Sequence, residues 1–450
     1  MKKDERLDCD LIICGSHVVT MNNEEQVLED AAVVVKQGKI VEIGTKNTII
    51  NKYKPKELLD VAESIVMPGL INTHTHVAMT LFRGLADDTD LGSFLDKVWA
   101  AETHYITPES VAVGANLGFA EMLLAGVTCC ADMYWFPEST AQCAKQIGIR
   151  LFAGEVFVDF LGADHISQWD TRIERAENFI ATYKNDDLVT PILCPHATYT
   201  VSEEHLAALA ALAKKHDVAV HIHASEAEFE MDTVKKITGK TPIQVLESAG
   251  LLNEKTWIAH GVHVSKEDRD TLLMRNTKVA HCPASNMKLA SGTAPVCDYL
   301  NESITVSLGT DGPSSSNDLN PWMAMRLASL LQKNSNNDAL ALPAKEVVKM
   351  ATRYGANTLS VSDKIGQLAP GMLADIIVVQ CNKPHAQPIY DVYSHLVYSA
   401  RPDDVHSVVV NGKVVVNNRR LVNLNLHEVS KKMHEIKTAI YSNISTPAQG

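Results

Sequence analysis

Two histidines that lie two residues apart, His74 and His76, follow the apolar run at residues 65–71. Alternate residues of a β-strand share a face, so both imidazoles can point at one metal ion if this segment is the end of a strand. The Pro68-Gly69 pair marks the entry of the chain into that strand. An H-x-H pair alone is weak support for a metal site, because such histidines are more often packed or solvated. The prediction therefore depends on the residues that follow.

Further polar residues close the apolar segments that we predict to be strands. Together with His74 and His76, these residues are Asp132, His196, His223, His260 and Asp311. Each one alone has a structural explanation, because a histidine can satisfy a loop carbonyl and an aspartate can cap a turn. Coincidence is a poor explanation for polar groups at several consecutive strand ends. Three neutral imidazoles and one carboxylate form a ligand set that suits zinc and leaves one position for water.

Glu226 lies three residues after His223, where the sequence pattern becomes helical. Its carboxylate can reach a water molecule on a metal held by His223, which is where a general base belongs. The structural alternative is a residue at a helix N-terminus that the helix dipole stabilises. His221 shares a strand face with His223, and we interpret it as a packing residue deeper in the strand.

Short apolar strands alternate with helical patterns through the middle of the chain, which is typical of a parallel sheet with crossover helices. Eight strands are predicted, at residues 70–76, 127–133, 150–156, 191–196, 218–223, 256–260, 278–282 and 304–311. This number favours an α/β fold with a closed (β/α)8 barrel, in which catalytic groups lie at the carboxyl ends of the strands.

Both ends of the chain contain strand-like segments joined by turn signals, Gln37-Gly38 and Asn411-Gly412. We therefore predict one small β-sandwich domain that is built from both termini. Its predicted limits are residues 1–66 and 368–426, with the metal-dependent barrel at 67–367. Residues 427–450 are predicted to form a C-terminal helix and a tail.

The composition is that of a globular protein with a large core, since 46% of the 450 residues are hydrophobic and 21% are charged. The net charge of -13 argues against a nucleic-acid partner, which usually needs a basic face. The apolar run at residues 11–14 is too short for a signal peptide or a membrane span. Nine scattered cysteines without a C-x-x-C pair indicate free thiols. We therefore predict a cytoplasmic protein that binds no membrane.

Six segments in fixed order resemble the amidohydrolase superfamily, and most closely its branch of 5'-methylthioadenosine/S-adenosylhomocysteine deaminases. They lie at residues 67–76, 79–88, 195–200, 259–263, 281–289 and 309–312, and the resemblance covers nearly the whole chain. It implies one zinc ion per subunit, with iron or manganese as alternatives. The implied ligands are His74, His76, His223 and Asp311. The fourth strand, at 191–196, contains no lysine that could bridge a second metal.

The resemblance also implies the roles of residues that would deaminate an adenine nucleoside. Glu226 takes a proton from water and delivers it to the purine, His260 stabilises the tetrahedral adduct, and Asp311 helps to move the second proton to ammonia. Glu226 and Asp311 thereby also contact the substrate. His196 and Glu102 match further substrate contacts, with Glu102 accepting hydrogen bonds from the ribose hydroxyls. The structural alternative for Glu102 is an exposed charge on a helix. The branch forms homodimers or tetramers, so a homo-oligomer is expected.

The sequence departs from the branch where a homocysteine carboxylate would need a cationic partner. No arginine occurs in residues 157–168, after the third predicted strand. Arg150 begins that strand and is expected to point away from the barrel mouth, and Arg172 lies in the following helix. This absence favours methylthioadenosine or adenosine over the substrate that carries a carboxylate.

Two other functions remain open from the sequence. One is an aminohydrolase or chlorohydrolase that acts on another nitrogen heterocycle, such as a triazine or a pterin, since it would use the same metal and base. The other is a non-catalytic metal-binding relative, which Glu226 argues against because a structural zinc site needs no base. The separate cytidine-deaminase architecture requires a P-C-x-x-C motif, which is absent from this sequence.

Overall fold

The structure, a computed structural model, describes residues 6–444. The strands are β1 (Leu7–Val19), β2 (Val27–Lys36), β3 (Lys39–Thr45), β4 (Tyr53–Asp60), β5 (Ser64–Pro68), β6 (Leu70–Thr75), β7 (Val127–Asp132), β8 (Arg150–Ala153), β9 (Val156–Phe157), β10 (Val189–Pro195), β11 (Ala219–Ala224), β12 (Thr256–His260), β13 (Lys278–His281), β14 (Val306–Leu308), β15 (Ile376–Gln380), β16 (Val405–Val410), β17 (Lys413–Asn417) and β18 (Arg420–Leu421).

The α-helices are α1 (Lys46–Lys52), α2 (Leu91–Tyr105), α3 (Pro108–Leu124), α4 (Pro137–Ile147), α5 (Trp169–Tyr183), α6 (Glu203–His216), α7 (Glu228–Thr238), α8 (Pro242–Ser248), α9 (Lys266–Arg275), α10 (Pro283–Lys288), α11 (Val296–Asn301), α12 (Pro321–Ser335), α13 (Ala344–Ala351), α14 (Arg353–Thr358), α15 (Val392–Ser394) and α16 (Leu426–Ile444). Short 3-10 helices occur at Val77–Phe82, Pro384–Ala386 and Pro402–Asp404, and a π-helical turn at His395–Ser399. Within residues 6–444, none of the helices combines the length and the apolar character needed to cross a membrane.

Eight parallel strands form the barrel in the order β6-β7-β8-β10-β11-β12-β13-β14, and the short β9 also pairs with β10. The predicted (β/α)8 barrel is therefore confirmed. The last of these strands is shorter than predicted and ends at Leu308. Beyond it, the backbone leaves the ladder and Asp311 adopts the left-handed region with φ 61°.

Side-chain hydrogen bonds close the barrel between β6 and the segment that follows β14. Asn72 Nδ2 donates to Thr310 Oγ1 at 2.7 Å, and the Thr310 amide donates back to Asn72 Oδ1 at 3.0 Å. The amide of Asp311 donates to the carbonyl of His74 at 3.1 Å. These bonds place His74 and Asp311 side by side at the carboxyl end of the barrel.

The second sheet combines strands from both ends of the chain in the order β18-β17-β16-β15-β5-β1-β2-β3, with β4 paired to β1. The predicted small β-domain built from both termini is therefore confirmed, whereas its residue limits stay a prediction. The sheet joins the barrel at Gly69, where a Cβ atom would lie 2.1 Å from Thr128 Oγ1. Only glycine fits this close approach of β5 and β6 to the next barrel strand.

The predicted C-terminal helix corresponds to α16, which contacts α3 and buries Val429 and Ile440. Its amphipathic character explains this docking, because one face is apolar and the other is charged. The predicted tail at residues 446–450 and the charged residues 1–5 lie outside the described residues.

A buried ion pair connects the barrel with the second sheet. Arg150, the first residue of β8, donates from Nε to Asp375 Oδ2 at 3.1 Å and from Nη2 to Asp375 Oδ1 at 3.2 Å. The two side chains are 8% and 2% exposed, and Asp375 also accepts the amide of Asn411 at 2.7 Å. Arg150 lies at the amino end of β8, away from the histidines. Its partner, Asp375, is the residue that precedes β15 of the second sheet.

We expect Arg150→Met to lower the free energy of unfolding by about 3–5 kcal/mol, because it leaves the Asp375 carboxylate buried without its partner. Denaturant-induced unfolding at a fixed zinc concentration measures this loss. Lys46→Met is the matched control, since it breaks the Lys46–Asp60 pair, whose side chains are 34% and 41% exposed. It should change stability by no more than about 1 kcal/mol. Equal losses of stability in the two variants would show that the Arg150–Asp375 pair contributes no more than an exposed ion pair.

Candidate metal and active site

Four side chains meet at the carboxyl end of the barrel. His74 Nε2 and His76 Nε2 each lie 3.2 Å from Asp311 Oδ1, and His223 Nε2 lies 3.2 Å from His76 Nε2. The structure thus brings together all four ligands that the sequence predicted. His76 follows β6, His223 lies in β11 and Asp311 follows β14, so the cluster depends on the closure of the barrel.

Hydrogen bonds on the outer side of the rings determine which nitrogen faces the cluster. His76 Nδ1 lies 2.6 Å from the carbonyl of Met133, and His223 Nδ1 lies 2.7 Å from the carbonyl of His196. A carbonyl oxygen can only accept, so both Nδ1 atoms carry the proton. The Nε2 atoms of His76 and His223 therefore turn their lone pairs towards Asp311 and His74.

His221 sets the same arrangement for His74. Its Nδ1 lies 3.2 Å from the carbonyl of Trp257, so Nδ1 donates and Nε2 is left as an acceptor. His74 Nδ1 lies 2.7 Å from His221 Nε2 and must therefore donate to it. The prediction of His221 as a packing residue is incomplete, because its ring stacks on Trp257 and also fixes the tautomer of His74.

This donor set fits a metal ion. His74 Nε2 is buried and has no hydrogen-bond partner among the described residues. Electron-pair donors this close together favour a positive charge between them, and Asp311 accordingly raises the pKa of His76 to about 9; a bound metal cation would take the place of that proton. Burial lowers the pKa of His74 to about 4 and so keeps this imidazole neutral. Neutral imidazole and carboxylate are the forms that bind zinc.

Two serine hydroxyls orient Asp311. Ser285 Oγ donates to Asp311 Oδ2 at 2.7 Å, and Ser315 Oγ donates to the same oxygen at 2.8 Å. Oδ1 is thereby left for the histidine cluster. The left-handed backbone of Asp311 is a strained conformation for a residue with a side chain, and such strain is typical of functional positions.

Glu226 and His260 lie beside the cluster and line the same cavity as His76, His223 and Asp311. His260 Nε2 lies 3.7 Å from Glu226 Oε2, and His260 Nδ1 lies 2.9 Å from Asn286 Oδ1. Burial raises the pKa of Glu226, although the neighbouring His260 opposes this shift. A carboxyl with a raised pKa can accept a proton and hold it near neutral pH.

Glu102 and His196 also line this cavity. Glu102 lies near the end of α2 and is only 1% exposed, so the alternative of an exposed helix charge is excluded. Tyr134 Oη donates to Glu102 Oε1 at 2.6 Å, and Trp135 Nε1 donates to Oε2 at 3.2 Å. The sequence analysis missed both donors; their position directly after a barrel strand was the only signal for them.

Asp132, another polar residue at a strand end, neither joins the cluster nor lines the cavity. Its Oδ1 accepts the amide of Val77 at 2.7 Å and the hydroxyl of Thr75 at 3.2 Å. It therefore supports the backbone next to His76, in agreement with the structural explanation for a polar strand end.

Known proteins resemble this chain in sequence and in fold. The profile of the amidohydrolase family matches residues 65–415. The chain belongs to the amidohydrolase family. Among relatives of this amidohydrolase, the 5-methylthioadenosine/S-adenosylhomocysteine deaminase of Thermodesulfovibrio yellowstonii is 40% identical over 412 residues, which are 91% of this chain and 94% of that protein. The 5'-deoxyadenosine deaminase of Methanosarcina mazei is 37% identical over 440 residues, which are 97% and 100% of the two chains.

A solved structure gives the same result for the fold. The adenosine deaminase from Xanthomonas campestris, which was crystallised with bound zinc, superposes with a TM-score of 0.95 at 34% sequence identity. The match covers 97% of this amidohydrolase and 100% of that chain. The predicted family is therefore confirmed, whereas the roles of individual residues are taken up below.

We expect His221→Phe to weaken zinc binding about 10–100-fold. The phenyl ring keeps the stacking on Trp257 but leaves the His74 N–H without its acceptor. Competition for zinc with a chromophoric chelator measures the affinity.

His205→Phe is the matched control, because His205 also stacks on a tryptophan, Trp169, with ring centroids 3.7 Å apart, but does not touch the cluster. Its zinc affinity should equal that of the wild type. If His221→Phe binds zinc as tightly as this control, His221 does not orient His74.

Proposed function

We propose that this protein is a zinc-dependent hydrolase that deaminates an adenine nucleoside to the inosine analogue and ammonia. The observation that carries the proposal is a buried carboxylate, Glu226, beside four converging ligand atoms in a cavity that also contains Glu102. The names of the relatives, which include methylthioadenosine, deoxyadenosine and adenosine deaminases, support this substrate class.

The residues that hold zinc in this proposal are His74, His76, His223 and Asp311. A zinc ion held there would lower the pKa of a water molecule, so that this water could give up a proton to Glu226 near neutral pH. The tautomers inferred from the hydrogen-bond partners support this assignment, since the Nδ1 atoms of His76 and His223 face backbone carbonyls and that of His74 faces Nε2 of His221. The fourth ligand, Asp311, is held in place by two hydroxyls.

Proton transfer is assigned to the residues around this cluster. Glu226 takes the proton of the attacking water and delivers it to a ring nitrogen, so that the ring carbon that bears the amino group gains an oxygen. His260, 3.7 Å from Glu226, orients the attacking oxygen and stabilises the charge on the tetrahedral adduct. Asp311 takes the remaining proton of the newly added hydroxyl and passes it to the amino group; the carbon–nitrogen bond then breaks, the hydroxyl oxygen becomes the carbonyl of the product, and ammonia leaves.

Glu102 and His196 are assigned to substrate binding. Each oxygen of the Glu102 carboxylate accepts one bond from Tyr134 or Trp135 and retains a further lone pair. These lone pairs can accept the two hydroxyls of a ribose. His196 Nδ1 is held by Thr200 Oγ1 at 3.0 Å, which fixes the orientation of its ring towards the cavity.

The walls of the cavity favour a nucleoside whose 5' substituent is neutral. Apolar residues form one side, namely Leu91, Phe94, Leu95, Val98 and Leu289. Among the described residues, no lysine or arginine lines the cavity. Arg172 is fully buried and pairs with Asp164 and Glu155, and Arg175 lies 3.2 Å from Asp164. Neither arginine is therefore available to a substrate carboxylate.

The predictions of a cytoplasmic location and of a homodimer or tetramer stay predictions. All nine cysteines are free, and eight of them are buried, which supports a reducing compartment. The cavity and the names of the relatives support a small-molecule substrate.

We expect Glu226→Gln to lower kcat/KM for methylthioadenosine by about 10²–10⁴-fold, because the amide cannot accept the proton of water. The change in ultraviolet absorbance as adenine becomes hypoxanthine measures the rate on zinc-loaded protein. Glu228→Gln, an exposed residue of the next turn, is the control and should keep wild-type activity. If wild-type protein with bound zinc turns over no nucleoside but hydrolyses a chlorotriazine or a pterin, the proposed substrate class is wrong.

We expect kcat/KM to be higher for methylthioadenosine and 5'-deoxyadenosine than for S-adenosylhomocysteine, because burying the homocysteine carboxylate without a cation is unfavourable. Phe160→Arg should lower the ratio of these kcat/KM values about 10-fold. The added guanidinium can bond to the homocysteine carboxylate, and a charge-assisted hydrogen bond stabilises by roughly 1.5–3 kcal/mol. Phe160 is 38% exposed and its ring lies 5.3 Å from that of Trp99, a residue of the cavity wall.

Leu273→Arg, which adds the same charge on the exposed surface of α9, is the control and should leave the substrate ratio unchanged. A wild-type preference for S-adenosylhomocysteine would show that a cation reaches the substrate from elsewhere.

A further inference from the structure

A second buried glutamate lies next to the proposed general base. Glu230, in the first turn of α7, is 1% exposed. Its Oε2 accepts the backbone amide of Glu226 at 2.7 Å, and the same carboxylate accepts a backbone hydrogen bond from Ser225. Thr198 Oγ1 lies 3.5 Å from Oε1. Glu230 does not line the cavity, so its contact with the active site passes through the backbone of Glu226.

The position of this carboxylate differs from that of an ordinary helix cap. The N-cap residue of α7 is Ala227, whose side chain provides no cap, and Glu230 is the third residue of the helix. In a capping box, a glutamate at this position bonds to the amide of the N-cap residue. Here it reaches one residue further back, to Glu226. The bond therefore fixes the segment that carries the base.

The carbonyl of the same peptide group bonds to the segment that follows β12. The carbonyl of Ser225 accepts the amides of Val262 at 2.8 Å and His263 at 2.9 Å. Ser225 itself adopts the left-handed region with φ 57°. The carbonyl of Ser225 and the amide of Glu226 belong to one peptide group, which is therefore held on one face by the segment after β12 and on the other by Glu230, and this peptide positions the Cα atom of Glu226. A residue placed in this way keeps its carboxylate beside His260, 3.7 Å away.

We propose that Glu230 is a positioning residue for the reaction, which holds Glu226 in place by accepting its backbone amide. The inference rests on the proposed function, in which Glu226 moves the proton. A displacement of about 1 Å of a reacting group can lower a rate about 10²-fold. Burial raises the pKa of Glu230 to about 7, and both the ionised and the neutral carboxyl offer an acceptor oxygen to the amide. The hydrogen bond thus persists in either form.

The test compares variants of the zinc-loaded protein with methylthioadenosine as substrate. Glu230→Ala removes the acceptor and should lower kcat about 10–100-fold, with little change in KM or in zinc affinity. Glu230→Gln keeps an acceptor for the Glu226 amide, and its NH2 group can donate to Thr198, so it should recover most of kcat. Glu228→Ala removes an exposed glutamate from the same turn and should behave as the wild type.

A double variant shows whether Glu230 acts through Glu226. In a Glu226→Gln background, where the base is already lost, Glu230→Ala should lower the residual rate by less than about 3-fold. A multiplicative loss in this background would overturn the proposal, as would full activity of Glu230→Ala or a loss in Glu230→Gln equal to that in Glu230→Ala.

Thermal melting distinguishes a loss of folding from a loss of positioning. If Glu230→Ala melts far below the wild type, Glu230→Asp takes its place, because it keeps the charge but is one methylene too short to reach the amide. It should show the same fall in kcat; wild-type kcat in a folded Glu230→Asp protein would overturn the proposal. Absence of nucleoside turnover in the wild type would instead contradict the proposed function, so the two failures are distinguishable.

Discussion

The protein holds four electron-rich atoms closer together than their mutual repulsion favours. The Nε2 atoms of His74, His76 and His223 and Oδ1 of Asp311 are separated by contacts as short as 3.2 Å. Each group is held in place from behind, the histidines by their Nδ1 atoms and the aspartate by two serines. The framework of the barrel therefore carries the repulsion, and a divalent cation relieves it. Binding of the metal and stability of the carboxyl end of the barrel are consequently linked.

The residues proposed for metal binding and proton transfer and those proposed for substrate selectivity lie on different parts of the fold. The proposed ligands and His260 lie at or just beyond the ends of barrel strands, and the hydrogen bonds from β6 to the segment after β14 close the barrel beside them. Glu102 and all of the apolar wall except Leu289 are supplied by α2, and the donors to Glu102 come from the segment after β7. Loops and helices at the barrel mouth can change without disturbing the strands. With this division, the residues that line the cavity can change while the cluster at the strand ends stays the same.

The sequence was sufficient for the elements whose signal is local. Alternating apolar segments predicted the eight barrel strands, and the spacing of His74 and His76 predicted that both rings lie in one cluster, because a strand places alternate residues on one face. The contacts that the sequence could not provide join distant segments. His221 bonds to His74 across the barrel, and Glu102 meets Tyr134 and Trp135 only after α2 has docked. The end of β14 was also misplaced, because the predicted strand included Gly309, Thr310 and Asp311, whereas the observed strand ends at Leu308 and Asp311 has a left-handed backbone.

The sheet that both ends of the chain share sets an order for folding during synthesis. β5 pairs with β1 on one side and with β15 on the other, and the whole barrel is synthesised between β5 and β15. The N-terminal strands therefore leave the ribosome with an unpaired edge, which persists until the last part of the chain arrives. Pairing of β15 with β5 brings together residues far apart in the chain, and contacts of this kind form slowly. A chain that stops before β15 would thus contain every metal ligand and yet expose a sheet edge prone to aggregation.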